Sequence, residues 1–230
     1  MSALRHRFPV AAFDLDGTLI DTAPDLTAAL NHALALAERP PVPPEEVRHM
    51  VGDGVVKLLE RGLAASGPPV DGEIFDRLRQ AFLAHYKAHL ADLSRPFIGV
   101  PETLAALKGE GIALAVCTNK PSGFTEPLLK ALGLRGFFAS VVSGDDLPWR
   151  KPDGRHLKAA FERAGGEARR GVLVGDAHND VAAARDAGVP VVLVSYGYTA
   201  TPAARLQGDA VIDDFRALPR TLAGLAPRRS

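Results

Sequence analysis

Asp14-Leu15-Asp16-Gly17-Thr18 sets two carboxylates two residues apart on a turn that contains glycine. Carboxylates that converge repel, so one of them must take up a proton or find a cation. A hard divalent ion such as Mg²⁺ meets the second need. A retained proton meets the first, and makes that carboxyl a general acid. Aspartate is also a nucleophile toward phosphoryl groups, through an aspartyl phosphate. Gly17 would let backbone N–H groups approach a phosphate as an anion nest. Asp-Gly is equally common in plain surface turns. Here the apolar run Val10-Ala11-Ala12-Phe13 stops at Asp14, as a buried strand stops at the polar edge of a sheet.

Three further segments repeat that arrangement. Thr118-Asn119 follows the apolar run Ile112 to Cys117. A hydroxyl and a neighbouring N–H there can bind a phosphate oxygen, or cap a helix. Lys151 lies in Arg150-Lys151-Pro152-Asp153, after Ser140 to Val142. Pro152 predicts a helix start, and a cation at a helix's positive end needs an anion beside it to explain its place. Gly175-Asp176-Ala177-His178-Asn179-Asp180 follows Gly171 to Val174. Asp176 can complete a Mg²⁺ site with Asp14 and Asp16. Asp180, about one helical turn on, can hold Lys151 or a metal-bound water, or cap the alanine-rich helix that follows. His178 reads as a loop histidine, with no second histidine at metal-ligand spacing. Together the groups supply a nucleophile, an acid, a phosphate clamp and a cation site, the set that phosphoryl transfer needs.

The elements that must position these groups alternate. Another apolar run, Val191 to Val194, follows the four already named. Helical spacing lies between the runs: after Pro101, from Thr125 to a stop at Gly133, through Leu157 and Phe161 to Gly165-Gly166, and from Asp180 to Ala187 before Gly188. This alternation predicts an α/β fold, a Rossmann-like parallel sheet covered by helices on both faces, with ligands at the carboxyl ends of its strands. One stretch breaks it. Residues 21–93 show helical spacing only: Leu26, Leu30 and Leu34; Leu58, Leu59 and Leu63; then Phe75, Leu78, Phe82, Tyr86 and Leu90. Pro40, Pro41, Pro43 and Pro44 read as a rigid loop between the first two helices. The expected organisation is a core of residues 1–20 and 94–230, with a helical cap of residues 21–93 inserted as a lid over the site.

Composition bounds the remaining possibilities. The chain has 230 residues, 27 basic and 27 acidic, with 47% apolar residues and one cysteine. Such a chain can bury a sizeable core. Zero net charge argues against a nucleic-acid partner. The lone Cys117 excludes a disulfide framework or a cysteine-rich metal site. No apolar run approaches membrane length, and Met1 to Val10 lacks the apolar run of a secretory signal. The expectation is a cytoplasmic protein, monomer or homodimer, that acts on a small phosphorylated substrate. Its tail, Leu225 to Ser230, is expected to fray.

In this order the motifs resemble the haloacid dehalogenase superfamily of phosphohydrolases, and the insertion is similar to that family's small C1-type cap. The resemblance spans essentially the whole chain. It implies that Asp14 is nucleophile and Mg²⁺ ligand, and that Asp16 is the acid/base, binding Mg²⁺ through its backbone carbonyl. It further implies that Thr118 and Asn119 bind phosphate, Lys151 stabilises charge, Asp176 binds Mg²⁺ and Asp180 supports the site. Ala177 stands where the family often has serine. Within the superfamily, Asp21-Thr22-Ala23-Pro24-Asp25-Leu26, Met50-Val51-Gly52-Asp53-Gly54 and Ser195-Tyr196-Gly197-Tyr198 resemble the phosphoglycolate phosphatase branch. That branch implies a cap loop, Gly52, Asp53 and Gly54, whose N–H groups meet a small carboxylate. Sugar-phosphate phosphatases, pyrophosphatases and phosphomutases such as β-phosphoglucomutase share much of the pattern. A phospho-accepting signalling domain also uses acidic residues, threonine and lysine at strand ends, though its phosphorylated aspartate lies on a later strand and it lacks the insertion.

Overall fold

The computed structural model describes residues 3–226, so the tail from 227 onward, expected to fray, lies outside the described residues. Eight strands occur in chain order: β1 (Val10–Phe13), β2 (Ile20–Asp21), β3 (Arg95–Pro96), β4 (Ala113–Cys117), β5 (Ser140–Val142), β6 (Gly171–Gly175), β7 (Val191–Val194) and β8 (Ala210–Ile212). The α-helices are α1 (Ala3–Arg7), α2 (Ala23–Ala35), α3 (Pro44–Arg48), α4 (Val55–Ser66), α5 (Gly72–Ala88), α6 (Val100–Gly109), α7 (Ser122–Ala131), α8 (Gly154–Arg163), α9 (His178–Ala187) and α10 (Leu218–Gly224). Six strands form one parallel sheet in the order β5-β4-β1-β6-β7-β8.

β1 is buried throughout, and its side chains alternate between two apolar layers. Ala11 and Phe13 pack with Leu104, Leu128 and Leu218, from α6, α7 and α10. Val10 and Ala12 pack with Leu157, Phe161 and Ala184, from α8 and α9. A strand covered on both faces must be apolar on both, which is why β1 reads as an unbroken run. No helix among the described residues is long and apolar enough to cross a membrane.

The insertion builds a separate core. Leu26, Leu30, Leu34, Leu58, Leu59, Leu63, Leu78, Phe82 and Tyr86 are buried against one another across α2, α4 and α5. Gly62 allows the close approach of α4, since a Cβ there would stand 2.5 Å from a Leu30 methyl. The chain enters through β2 and leaves through β3, which pair antiparallel. Asp25, at the start of α2, accepts from the backbone N–H of Leu93 and from both the N–H and hydroxyl of Ser94, which ties entry to exit.

The structure departs from the expected elements in four places. Pro44 opens the short helix α3 instead of ending a loop, because a missing N–H is harmless in a first helical turn. β8 is a three-residue edge strand, too short to give a hydrophobic run. The two-residue ladder β2–β3 has no periodicity to read at all. Finally, α8 begins at Gly154 with Asp153 as its N-cap, so Lys151 precedes the helix rather than sitting at its first turn.

Candidate active site

Register brings the motifs to one edge. Phe13 lies level with Val116 on one side and Val174 on the other, and Val142 lies level with Cys117. The residues that follow, Asp14, Thr118 and Asp176, therefore leave the sheet at the same end. The Asp14 N–H donates to Val174 O at 2.9 Å and the Thr118 N–H to Val142 O at 3.1 Å, which fixes where each departs.

Lys151 is the centre of the core-side network. Its Nζ lies 2.8 Å from Asp14 Oδ1 and donates to Asp180 Oδ1 at 2.6 Å. The other Asp180 oxygen accepts from the N–H groups of Asp176 and Ala177, so this one carboxylate both holds the lysine and closes the first turn of α9. The two roles considered for Asp180 thus coexist. Asp176 accepts from the Thr18 hydroxyl at 2.9 Å and the Tyr198 N–H at 2.8 Å. Glycines make room for these acids. A Cβ on Gly175 would come within 2.3 Å of the Asp180 carboxyl carbon, and one on Gly197 within 2.2 Å of Asp176 Cβ.

Oxygens of Asp14, Asp176 and Asp180 lie within 4.8 Å of one another, and all three residues are buried. Burial pushes the Asp14 carboxyl up, Lys151 pulls it back, and Asp180 adds to the rise. Burial, then Asp14, then Asp180 raise Asp176 further, to about 8. Burial alone would lower the Lys151 pKa, but the two aspartates outweigh it and hold the amine charged. One lysine among three carboxylates leaves negative charge that a hard cation would neutralise, and the all-oxygen donor set suits Mg²⁺. The Asp16 side chain does not join this group.

The Asp16 carboxylate instead accepts from the Thr22 hydroxyl at 2.7 Å and from Lys120 Nζ at 3.0 and 3.2 Å. Lys120 is buried, and it also donates to the Tyr86 hydroxyl of α5 at 2.7 Å. Sequence reasoning passed over Lys120, Tyr86, Thr22 and Thr18. A lysine after Thr-Asn looks like any solvated lysine, and Tyr86 fits a core stripe as well as it fits a site.

Thr118 and Asn119 play unequal parts. The Thr118 oxygen accepts from the Lys120 N–H, leaving its own proton free to donate. The Asn119 amide donates to Lys151 O at 3.0 Å and to Gly52 O at 3.3 Å, so the side chain positions Lys151 and meets the cap. Among the described residues, the backbone N–H groups of Leu15, Asp16 and Asn119 make no hydrogen bond and remain available to an anion.

The cap loop reaches the core through a carbonyl and a carboxylate, and among the described residues the N–H groups of Gly52, Asp53 and Gly54 make no backbone hydrogen bond. Gly52 presents its carbonyl to Asn119. Asp53 accepts from Asn179 Nδ2 at 2.8 Å and from Arg61, contacts that hold its carboxyl below the usual range despite partial burial. Gly52 and Gly54 have φ of 116° and 94°, backbone that favours glycine. His178 is not a loop residue as expected but opens α9, because the helix starts two residues before Asp180; it lines the cleft and makes no part of the carboxylate cluster. Two clefts meet at Asp14 and Asp16. One runs toward Tyr86, Lys120 and Phe124; the other runs past Asp53 and Asp176.

Comparison with known proteins agrees with this geometry. The family model described as haloacid dehalogenase-like hydrolase matches residues 11–194. A phosphoglycolate phosphatase of Caulobacter vibrioides is 51% identical over 209 residues, covering 91% of this chain and 88% of that protein. A phosphoglycolate phosphatase of Agrobacterium fabrum is 46% identical over 214 residues, covering 93% and 92%. The crystal structure of a predicted phosphoglycolate phosphatase from Haemophilus somnus superposes with a TM-score of 0.89 at 33% identity, covering 94% of this chain and 98% of that one.

Proposed function

The chain belongs to the haloacid dehalogenase-like hydrolase family, and from that premise we propose that it is a phosphatase hydrolysing 2-phosphoglycolate to glycolate through an aspartyl phosphate on Asp14. Asp14 Oδ attacks phosphorus in line, and the bond to the ester oxygen breaks. Asp16 protonates that oxygen as glycolate leaves, then takes a proton from the water that cleaves the acyl phosphate, which returns Asp14 and releases inorganic phosphate.

The remaining residues neutralise and hold. Lys151, locked between Asp14 and Asp180, offsets charge on the nucleophile and the transferred group. The Thr118 hydroxyl and the free N–H groups of Leu15, Asp16 and Asn119 clamp phosphoryl oxygens. Asp14, Asp176 and the Asp16 carbonyl would hold Mg²⁺, which supplies further positive charge at the phosphoryl oxygens. Asp180 supports the site through Lys151. Gly52, Asp53 and Gly54 cover it from the cap and exclude water.

The observation that carries this reading is a buried nucleophile, Asp14, paired with Lys151 inside a cluster of carboxylates, under a cap with its own core. The test is phosphate release with Mg²⁺ from 2-phosphoglycolate, pyrophosphate and hexose phosphates. Phosphoglycolate is expected to give the highest kcat/KM. A rank near the bottom would refute the substrate while leaving the phosphatase chemistry in place. A long-lived phosphoprotein without turnover would point instead to a signalling domain.

A further inference from the structure

Lys120 is a buried cation that the steps above do not use. Burying an ammonium is costly unless it is paired and hydrogen-bonded. Its ionic partner among the described residues is Asp16, 3.0 Å away, the carboxyl that must travel to the leaving oxygen. Its other partner, the Tyr86 hydroxyl, comes from the cap. Asp16 and the attachment between cap and core thus share one ammonium.

The cleft around this cation has a definite character. Asp14, Thr118, Lys120 and Tyr86 line it, with Leu26 and Phe124 as apolar wall. Lys120 carries the only positive charge among the described residues lining it. The cations of the neighbouring cleft are committed: Lys151 to Asp14 and Asp180, Arg61 to Asp53 and the Met50 carbonyl. An anionic group entering beside the nucleophile on this side has Lys120 to meet.

The proposed substrate has such a group at a fixed distance. In 2-phosphoglycolate one methylene separates the ester oxygen from the carboxylate. When Asp16 reaches the ester oxygen, the carboxylate must lie close to the neighbours of Asp16, and of those two, the Thr22 hydroxyl and Lys120, the lysine is the cation. We propose that Lys120 is the specificity-determining residue, binding the substrate carboxylate with Tyr86 as its positioning partner. Binding transfers the ammonium's hydrogen bond from Asp16 to the substrate and leaves Asp16 with the Thr22 hydroxyl alone, a single neutral contact from which it can turn to the leaving oxygen. Substrates without the carboxylate leave Asp16 tethered. The inference rests on the phosphoglycolate reading and places recognition on the core, not on the cap-loop N–H groups.

The test compares 2-phosphoglycolate with ethyl phosphate, in which a methyl group replaces the carboxylate, in wild type, Lys120→Met and Lys120→Arg. Wild type is expected to prefer phosphoglycolate. Lys120→Met deletes both the anchor and the tether on Asp16, so ethyl phosphate turns over no more slowly than in wild type while phosphoglycolate is slowed, and the preference falls by about ten- to a hundredfold, the range for a hydrogen bond to a charged group. Most of that loss falls on the phosphoglycolate KM, and Lys120→Arg retains most of the preference. If Lys120→Met lowers both substrates equally and keeps the preference within twofold, the lysine only positions Asp16 and the inference is overturned. If wild type shows no preference for phosphoglycolate, the substrate reading falls and the inference falls with it. Should the methionine variant fail to fold, Lys120→Gln keeps polar contact without charge, and the same two results decide.

Discussion

The core and cap sides of the active site are built to different standards. On the core side Asp14, Lys151, Asp176 and Asp180 are all buried, and each is held by groups fixed at strand ends or in the first turn of a helix. On the cap side the reach into the site is a carbonyl, a carboxylate and a hydroxyl, from Gly52, Asp53 and Tyr86. The first arrangement is preorganised for charge that develops during reaction. The second is a set of contacts from a body with its own hydrophobic core, joined by a His49 contact to the Tyr198 carbonyl and by Phe124 packed on the cap.

The sharpest way to break this contrast is at Asp14. Asp14→Asn preserves size and is expected to lower kcat by at least about 10⁴-fold, as removal of a nucleophile does elsewhere, with an unchanged melting curve. Turnover near that of wild type would end the nucleophile assignment.

Metal and pH probe the same cluster. Asp176 is raised from 3.8 to about 8, so the metal-free folded state retains a proton that the unfolded chain gives up above about pH 4. Its protonated form contributes stability at low pH, and that contribution is lost as pH rises through about 8. Mg²⁺ binds the ionised carboxylates and should reverse the loss. Saturating Mg²⁺ is expected to raise Tm little at pH 5 and by about 5–10 °C at pH 8, as for a ligand near 100 Kd. A Mg²⁺ effect that does not grow with pH would contradict the assignment of the cluster.

Glycine substitutions compare the two sides directly. Gly175→Ala forces a methyl against the Asp180 carboxyl and should cost about 1–3 kcal/mol by overpacking, seen in urea unfolding. Gly72→Ala on the cap, with open space around it, should not destabilise. Equal losses would mean that the cost at Gly175 does not come from its close approach to Asp180. The smallest effect is expected at Asn179. Asn179→Ala removes one hydrogen bond to Asp53 and should raise KM by a few-fold with kcat nearly unchanged, consistent with about 1 kcal/mol for one such bond. A large fall in kcat would make the cap contact part of the chemistry.

Legibility in the sequence follows the same divide. β1, β4 and β6 could be read because buried parallel strands are unbroken apolar runs, and the polar residues that end them mark the sheet edge. Asp14, Thr118 and Asp176 were visible for that reason, whereas Lys151, well past the end of β5, was visible through the Pro152 that follows it. Lys120 was not, because its significance depends on Tyr86, which lies in another body of the molecule. Nothing in the local sequence says that a stripe residue on α5 will point its hydroxyl across the gap. β8 and the β2–β3 ladder escaped because a few extended residues carry no period. The carbonyl of Gly52 facing Asn119 could not be foreseen, since composition does not fix which way a peptide plane turns.

The placement of β1 also governs the order in which the molecule can assemble. β1 is synthesised before every other strand, yet Val10 pairs with Ala113 and Gly171, on the far side of the insertion. The insertion is contiguous and closes its core within residues 26–86, by contacts far more local than those of the sheet. On a growing chain it can be complete while the future centre of the sheet still has no neighbour. Pulse-labelled hydrogen exchange during refolding is accordingly expected to protect α2 and α5 before β1. The lid would then be the first part of the enzyme to exist, waiting beside an active site that has not yet been made.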